Sequence, residues 1–265
     1  MTPWSYRGRW ALVTGASAGL GAEFARQLAG RGMSLVLSAR REARLERLAK
    51  ELRERERVEV VVEPADLAAP GEPLRLWRRA SEERLIDLLV NNAGFGAHGR
   101  FDTVPIERLI GMVHLNCVTV MELAHAALAD MRARGGGGII NVASLAAFQP
   151  VPQLATYAAS KAFVLSLSES LWAENRAAGV RVVALCPGRT PTEFQQIAGT
   201  GSPEGSFGVR SPESVVTAAL EALEAGRPTV VPGLPNRLAS WAGRIAPTTL
   251  LTRVVQRAVE ARSRR

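Results

Sequence analysis

Three side chains near the middle of the chain are of the types that proton transfer to an oxygen requires: Ser144 in "NVASLAAF", and Tyr157 and Lys161 in "ATYAASKAFVLSLSESL". Tyr157 and Lys161 are four positions apart, one helical turn, and so share a face. A phenol with an ordinary pKa of about 10 exchanges its proton poorly at neutral pH unless a neighbouring cation stabilises the phenolate. Lys161 is that cation. Ser144 ends a hydrophobic run and can hydrogen-bond a substrate oxygen, where one well-placed donor contributes about 3 kcal/mol to a developing alkoxide. The spacing alone is cheap, because an isolated Tyr-x-x-x-Lys also describes a core tyrosine beside a solvated lysine. Composition weighs against that reading: the chain has 31 Arg but only two Lys, Lys50 and Lys161. A guanidinium does not replace a compact ammonium in shape or reach.

The elements that must position these groups follow from periodicity. Aliphatic runs predict strands over 9–15, 33–39, 58–64, 85–93, 137–144, 179–187 and 228–233, separated by helical patterns over 19–31, 41–55, 72–83, 105–133, 155–178 and 211–225. The runs are continuously hydrophobic rather than alternating, as expected of strands covered on both faces. Strand and helix in alternation predict an α/β fold, a doubly wound parallel sheet of about seven strands with helices on both faces. Right-handed crossovers then gather the carboxyl ends of the strands along one crevice, where a ligand should bind.

Directly after the first strand comes "TGASAGLGAEF", with Gly15, Gly19 and Gly21 opening a helix and Ser17 and Leu20 between them. Such a turn lets backbone N–H groups approach a pyrophosphate at the positive end of the helix. The second strand ends in "LSARRE", which offers Arg40 and Arg41 and no carboxylate before Glu42. An acid there would accept a ribose 2′-hydroxyl, whereas a guanidinium suits a 2′-phosphate, so NADP(H) is expected rather than NAD(H), through Arg40. Arg41 also reads as the start of a charged helix.

Taken in order, "TGASAGLG" (14–21), Asp66, "NNAG" (91–94), Asn116, Ser144, "YAASK" (157–161), "PG" (187–188) and Thr192 resemble the short-chain dehydrogenase/reductase family of the Ser-Tyr-Lys type, over residues 7–232. The resemblance implies a Rossmann-like domain and a carbonyl–alcohol oxidoreductase with Asn116, Ser144, Tyr157 and Lys161 as its catalytic set. It also implies that Lys161 bonds the nicotinamide ribose and that Asn116 holds a water relaying protons to it. Asn92, Ala93 and Gly94 would pass the cofactor ribose, Asp66 would meet the adenine, and Pro187, Gly188 and Thr192 would border the nicotinamide and its carboxamide. A homodimer or homotetramer, paired through the helices 105–133 and 155–178, is implied in the same way.

Loops at the carboxyl edge supply the expected substrate pocket, Phe95, His98, Phe148, Val151 and Phe194, suited to an apolar ketone or alcohol; the loop 189–208 is expected to form a lid. The alternative is a dinucleotide-binding regulatory protein without turnover, which has no need of the proton-transfer set. The net charge of +8 invites a nucleic-acid reading. Most Arg are interleaved with Glu, as on solvated helix faces, so no nucleic acid is expected. Cys117 and Cys186 sit in apolar runs without metal or disulfide spacing and read as buried hydrophobes, so no metal is expected. No signal-peptide pattern or uninterrupted apolar span is found, and a cytoplasmic setting is expected. A single catalytic domain is expected over 1–232. Residues 233–265 form a basic amphipathic extension expected to pack on that domain, with contact to a membrane surface as the less favoured reading.

Overall fold

The computed structural model describes residues 4–201 and 208–263, with side chains as far as Arg257. Among the described residues, seven parallel strands form one sheet in the order β3-β2-β1-β4-β5-β6-β7. They are β1 (Trp10–Thr14), β2 (Ser34–Ser38), β3 (Val60–Val62), β4 (Ile86–Asn91), β5 (Gly137–Val142), β6 (Val180–Leu185) and β7 (Thr229–Val230). The order reverses between β1 and β4, and the glycine turn that follows β1 sits at this switch point, the place where doubly wound sheets bind ligands. The helices α1 (Gly19–Gly30), α2 (Glu42–Glu56) and α3 (Glu72–Ser81) follow the first three strands. Leu12, Leu88, Leu89, Ile139, Val182 and Val183 are fully buried, which explains why the strands show no polar face.

Beyond β4 the expected single helix 105–133 is divided. α4 (Ile106–Val113) and α5 (Thr119–Ala133) are joined by a π-helical turn, His114–Val118, that widens the helix at Asn116. By length and composition this run, Ile106–Ala133, could cross a membrane, against the expectation of no such span. Leu123, Ala124, Ala127 and Met131 pack from it onto the sheet, as in a core helix. After β5 come a 3₁₀ turn, Leu145–Phe148, and the long α6 (Ala155–Asn175). After β6 come α7 (Phe194–Ala198) and α8 (Pro212–Glu224). The expected lid is described only on its two flanks, residues 202–207 lying outside the described residues. α9 (Leu234–Ile245) and α10 (Thr248–Ser263) follow β7.

One polar chain crosses this apolar interior. Asn91 and Asn141 are register partners at the ends of β4 and β5. Asn91 Nδ2 donates to Asn141 Oδ1 at 2.9 Å, Asn141 Nδ2 to Ser168 Oγ at 2.9 Å, and Ser168 Oγ to the Val164 carbonyl at 2.6 Å. Buried amides demand such partners, and here the demand ties the two central strands to α6.

Candidate active site

At the carboxyl edge, β5 runs into Ala143 and Ser144, and α6 crosses beneath with its first turns against the cleft. Ser144 Oγ accepts from the Ala146 N–H at 3.1 Å, capping the 3₁₀ turn and leaving its own proton free to donate. Tyr157 and Lys161 are both buried, 9% and 5% exposed. Lys161 Nζ donates to the Val142 carbonyl at 2.8 Å and lies 5.8 Å from the centre of the Tyr157 ring. Burial pushes the Tyr157 phenol up to about 12 despite the neighbouring Ser144 side chain, which pulls it down. Burial likewise pushes the Lys161 ammonium down to about 8. Loss of water dominates at this phenol, which is held neutral, while the ammonium beside it is bonded to a carbonyl.

Asn116 stands behind this pair. Its Oδ1 accepts from Phe95 N at 3.1 Å, and its Nδ2 donates to the Phe95 carbonyl and to Ser160 Oγ, both at 3.0 Å. Ser160 Oγ in turn donates to the Tyr157 carbonyl at 2.7 Å. The π turn thus clips the loop after β4 to the first turn of α6. A Cβ on Gly94 would come within 2.8 Å of Asn116 Oδ1 and 3.6 Å of Lys161 Nζ, so the backbone passes the ammonium with no room for a side chain.

The other end of the cleft is built to approach a polyanion. Gly15 and Gly19 have φ of +66° and +56°, open to glycine at little cost. A Cβ on Gly21 would strike the Gly15 carbonyl and Asn92 Nδ2. α1 follows Ala18 with no side-chain cap and no acid in its first turn, leaving its N–H groups to a ligand. These features fit a dinucleotide pyrophosphate. Thr14, not singled out by sequence, holds the arrangement: its Oγ1 accepts from Asn92 N and Ala93 N at 3.0 and 3.1 Å. Asn92 Nδ2 donates back to the Thr14 carbonyl at 2.9 Å.

At the adenosine end Arg40 is exposed and lines the mouth, but Arg41 is the engaged residue. Its Nε and Nη2 donate to Ser17 Oγ at 3.2 and 3.0 Å, and its Nη1 to Glu193 Oε2 at 2.8 Å. Arg44 grips the same carboxylate, and the two guanidiniums hold Glu193 below the usual carboxylate range. Asp66 lines the cleft and accepts from Ala68 N at 3.2 Å in a turn of its own.

The cleft has a volume of about 500 Å³. Of the expected nucleotide residues, Gly15, Ser17, Gly19, Leu20, Asn92, Ala93, Gly94, Pro187, Gly188 and Thr192 line it, whereas Gly21 lies just behind. Thr192 Oγ1 sits 3.3 Å from Gln195 Oε1, and Gln195 Nε2 donates to the Thr190 carbonyl at 2.6 Å, a brace within the flank of the expected lid. Of the expected substrate residues, Val151 and Phe194 line the cleft, the latter 5.4 Å from the Tyr157 ring, centre to centre. Phe95, His98 and Phe148 do not. Phe95 packs with Leu109 and Met112 under Arg108, and His98 N is tied to the Ala198 carbonyl. Phe148 is covered by Arg244, 5.1 Å above its ring. Leu145, Ala146, Leu154 and Ile197 supply the remaining apolar wall.

A doubly wound parallel sheet, a glycine turn at its switch point and a buried Tyr–Lys pair beside a serine hydroxyl define a protein of the dinucleotide-binding oxidoreductase class. Residues 9–201 match the family model described as short chain dehydrogenase. The chain belongs to that short-chain dehydrogenase family of oxidoreductases, and its sequence and fold neighbours agree. It is 32% identical to the very-long-chain 3-oxoacyl-CoA reductase of Anas platyrhynchos over 255 residues, 94% of this chain and 80% of the relative. It is 34% identical to the inactive hydroxysteroid dehydrogenase-like protein 1 of Rattus norvegicus over 68% of this chain, but spans only 55% of that relative's length. The solved short-chain dehydrogenase from Sphingobium yanoikuyae in complex with NADPH superposes with a TM-score of 0.82 at 34% identity, covering 89% of this chain and 92% of that one. Solved neighbours hold NADPH or NADP in several cases and NAD in another.

Proposed function

We propose that this protein interconverts a carbonyl and an alcohol on an apolar small molecule, with NADP(H) as redox partner and Tyr157 as general acid and base. The observation that carries the reading is the meeting of Ser144, Tyr157 and Lys161 on one cleft wall whose far end is a glycine turn free of side chains. When bound, the dinucleotide supplies or accepts the hydride. Ser144, its oxygen already accepting from Ala146 N, directs its proton at the substrate oxygen and fixes the carbonyl. Tyr157, neutral well above neutral pH, gives its proton to that oxygen as charge develops; an alkoxide is the stronger base, so the transfer runs downhill. Lys161, still largely protonated at neutral pH, compensates the phenolate so formed and would hold a ribose hydroxyl of the bound dinucleotide. In the oxidative direction the same groups act in reverse. Asn116 positions the pair through Phe95 and Ser160.

Preference for NADP(H) rests on Arg41 and Arg40 at the mouth and on Glu42 belonging already to α2. The apolar wall of Val151, Leu154, Phe194 and Ile197 supports a hydrophobic substrate. Exposed Ile106, Ile110 and Val113 on one face of α4, with Phe163 on α6, support pairing of subunits through these helices. The presence of a relative named inactive favours one rival, a dinucleotide-binding protein without turnover. A panel of ketones and alcohols assayed by absorbance with NADPH and NADH, beside Tyr157→Phe, separates them. Turnover that Tyr157→Phe abolishes while still binding NADPH is the expected result; no turnover with any substrate, or equal turnover in the variant, overturns the proposal.

A further inference from the structure

α9 is amphipathic the wrong way round for a helix of a water-exposed surface. Its inward residues are polar or small. Asn236 and Ser240 are buried, Asn236 Nδ2 donates to the Pro232 and Gly208 carbonyls at 2.9 Å each, and a Cβ on Gly243 would come within 2.7 Å of the Phe148 carbonyl. Its outward residues are the large apolar ones: Leu234, Leu238, Trp241 and Ile245 are 64%, 64%, 71% and 76% exposed. At 100° per residue these four fall within a stripe about 60° wide, opposite Asn236, Ser240 and Gly243. On α10, Leu250 and Val254 are exposed as well. Scattered exposed leucines are ordinary, but an aligned row with tryptophan is the mark of a surface that meets something.

Charge identifies what it meets. Residues 233–265 hold seven Arg and one acid, Glu260, a balance of +6 out of +8 for the whole chain. Arg237 and Arg244 lie together on one flank of the stripe, and Arg253 and Arg257 are exposed on α10. Arg244 also pairs with Glu169 at 2.9 Å. A second copy of the same surface would bring like charges together, whereas anionic headgroups complement them, and tryptophan favours the boundary between headgroup and acyl chain.

We infer that α9 docks this protein on an anionic lipid bilayer, with Leu234, Leu238, Trp241 and Ile245 inserted among the acyl chains and Arg237, Arg244, Arg253 and Arg257 on the headgroups. Because α9 packs on Phe148, four residues from Ser144, docking sets the substrate end of the cleft beside the lipid. The docking itself is independent of the oxidoreductase reading. Only its corollary, that the carbonyl substrate is drawn from the bilayer, rests on that reading.

Co-sedimentation of the full chain with vesicles of phosphatidylcholine alone, and of phosphatidylcholine mixed with phosphatidylserine, tests the inference. The expected result is binding to the mixed vesicles that weakens by about tenfold or more without phosphatidylserine and on raising salt. Leu238→Ala/Trp241→Ala should lose about tenfold or more of the binding, while thermal melting and NADPH fluorescence titration stay as in the parent. Failure to bind mixed vesicles, or undiminished binding by the double variant, overturns the inference. So does a parent dimer, seen by sedimentation velocity, that the double variant dissolves without loss of vesicle binding, since the occupant of the stripe is then a second copy.

Discussion

Lys161 links the chemistry of the cleft to the stability of the fold in a way that pH exposes. Its ammonium titrates at about 8 in the folded chain against an ordinary 10.5, because burial removes its water. Below about 8 both states carry the proton and the fold bears a desolvated charge. From about 8 to 10.5 the unfolded chain binds a proton that the native state has released, so the contribution of Lys161 to stability rises with pH over this interval. That interval corresponds to about 3 kcal/mol. Tyr157 acts in the opposite sense: folded at about 12 against 10, it keeps a proton that the unfolded chain loses, and stability falls as pH rises from 10 to 12. Lys161→Met replaces the ammonium with an uncharged chain of similar length. It removes the rise and keeps the fall. Near neutral pH the variant escapes the cost of about 3 kcal/mol and forfeits the hydrogen bond to Val142, worth about 1 kcal/mol, for a net gain of about 2 kcal/mol with activity lost. Urea unfolding followed by tryptophan fluorescence across this pH range, without added nucleotide, measures both curves. Parallel curves for parent and variant, or a variant less stable near neutral pH, would refute the reasoning.

Other consequences can be checked separately. Gly21→Ala drives a methyl group into the Gly15 carbonyl and Asn92 Nδ2; NADPH affinity by calorimetry should fall by about a hundredfold or more, at a stability cost of about 1–3 kcal/mol. Arg41→Ala removes the guanidinium between Ser17 and Glu193; the NADPH dissociation constant should rise about tenfold with that for NADH little changed, and equal effects on both would assign Arg41 a structural role. Asn141→Ala leaves Asn91 Nδ2 only its long bond to the Val120 carbonyl and should cost about 2 kcal/mol in chemical denaturation, whereas an unchanged midpoint would mean that the buried network contributes nothing net.

The strand and helix order was legible because a buried parallel sheet writes itself as aliphatic runs, and the motif residues were legible because glycine, tyrosine and lysine each do something there that no other residue does. What the sequence hid depended on direction. Arg40 and Arg41 are adjacent on the chain, and only the path of the backbone out of β2 makes the second one reach Ser17 and Glu193. Phe148 looked like pocket because it follows a strand end, but Arg244, almost a hundred residues later, takes its ring. The π turn at Asn116 leaves no trace in periodicity, since one extra residue in a helical repeat is within its ordinary scatter. Thr14 was read only as part of a glycine turn; its hydroxyl works across the sheet, where the chain order gives no hint.

The Asn91–Asn141 bond carries a consequence for how the chain finds its alignment. Strands that are apolar on both faces lack the alternation that penalises a slip of one residue. For β4 and β5, a polar rung at Asn91 and Asn141 supplies that penalty, because any shift leaves two buried amides apart, much as a single buried asparagine sets the phase of a coiled coil. Asn92 lies one residue beyond one end of the rung and Ser144 three beyond the other. The rung therefore sets the relative height of cofactor platform and catalytic serine before either meets a ligand.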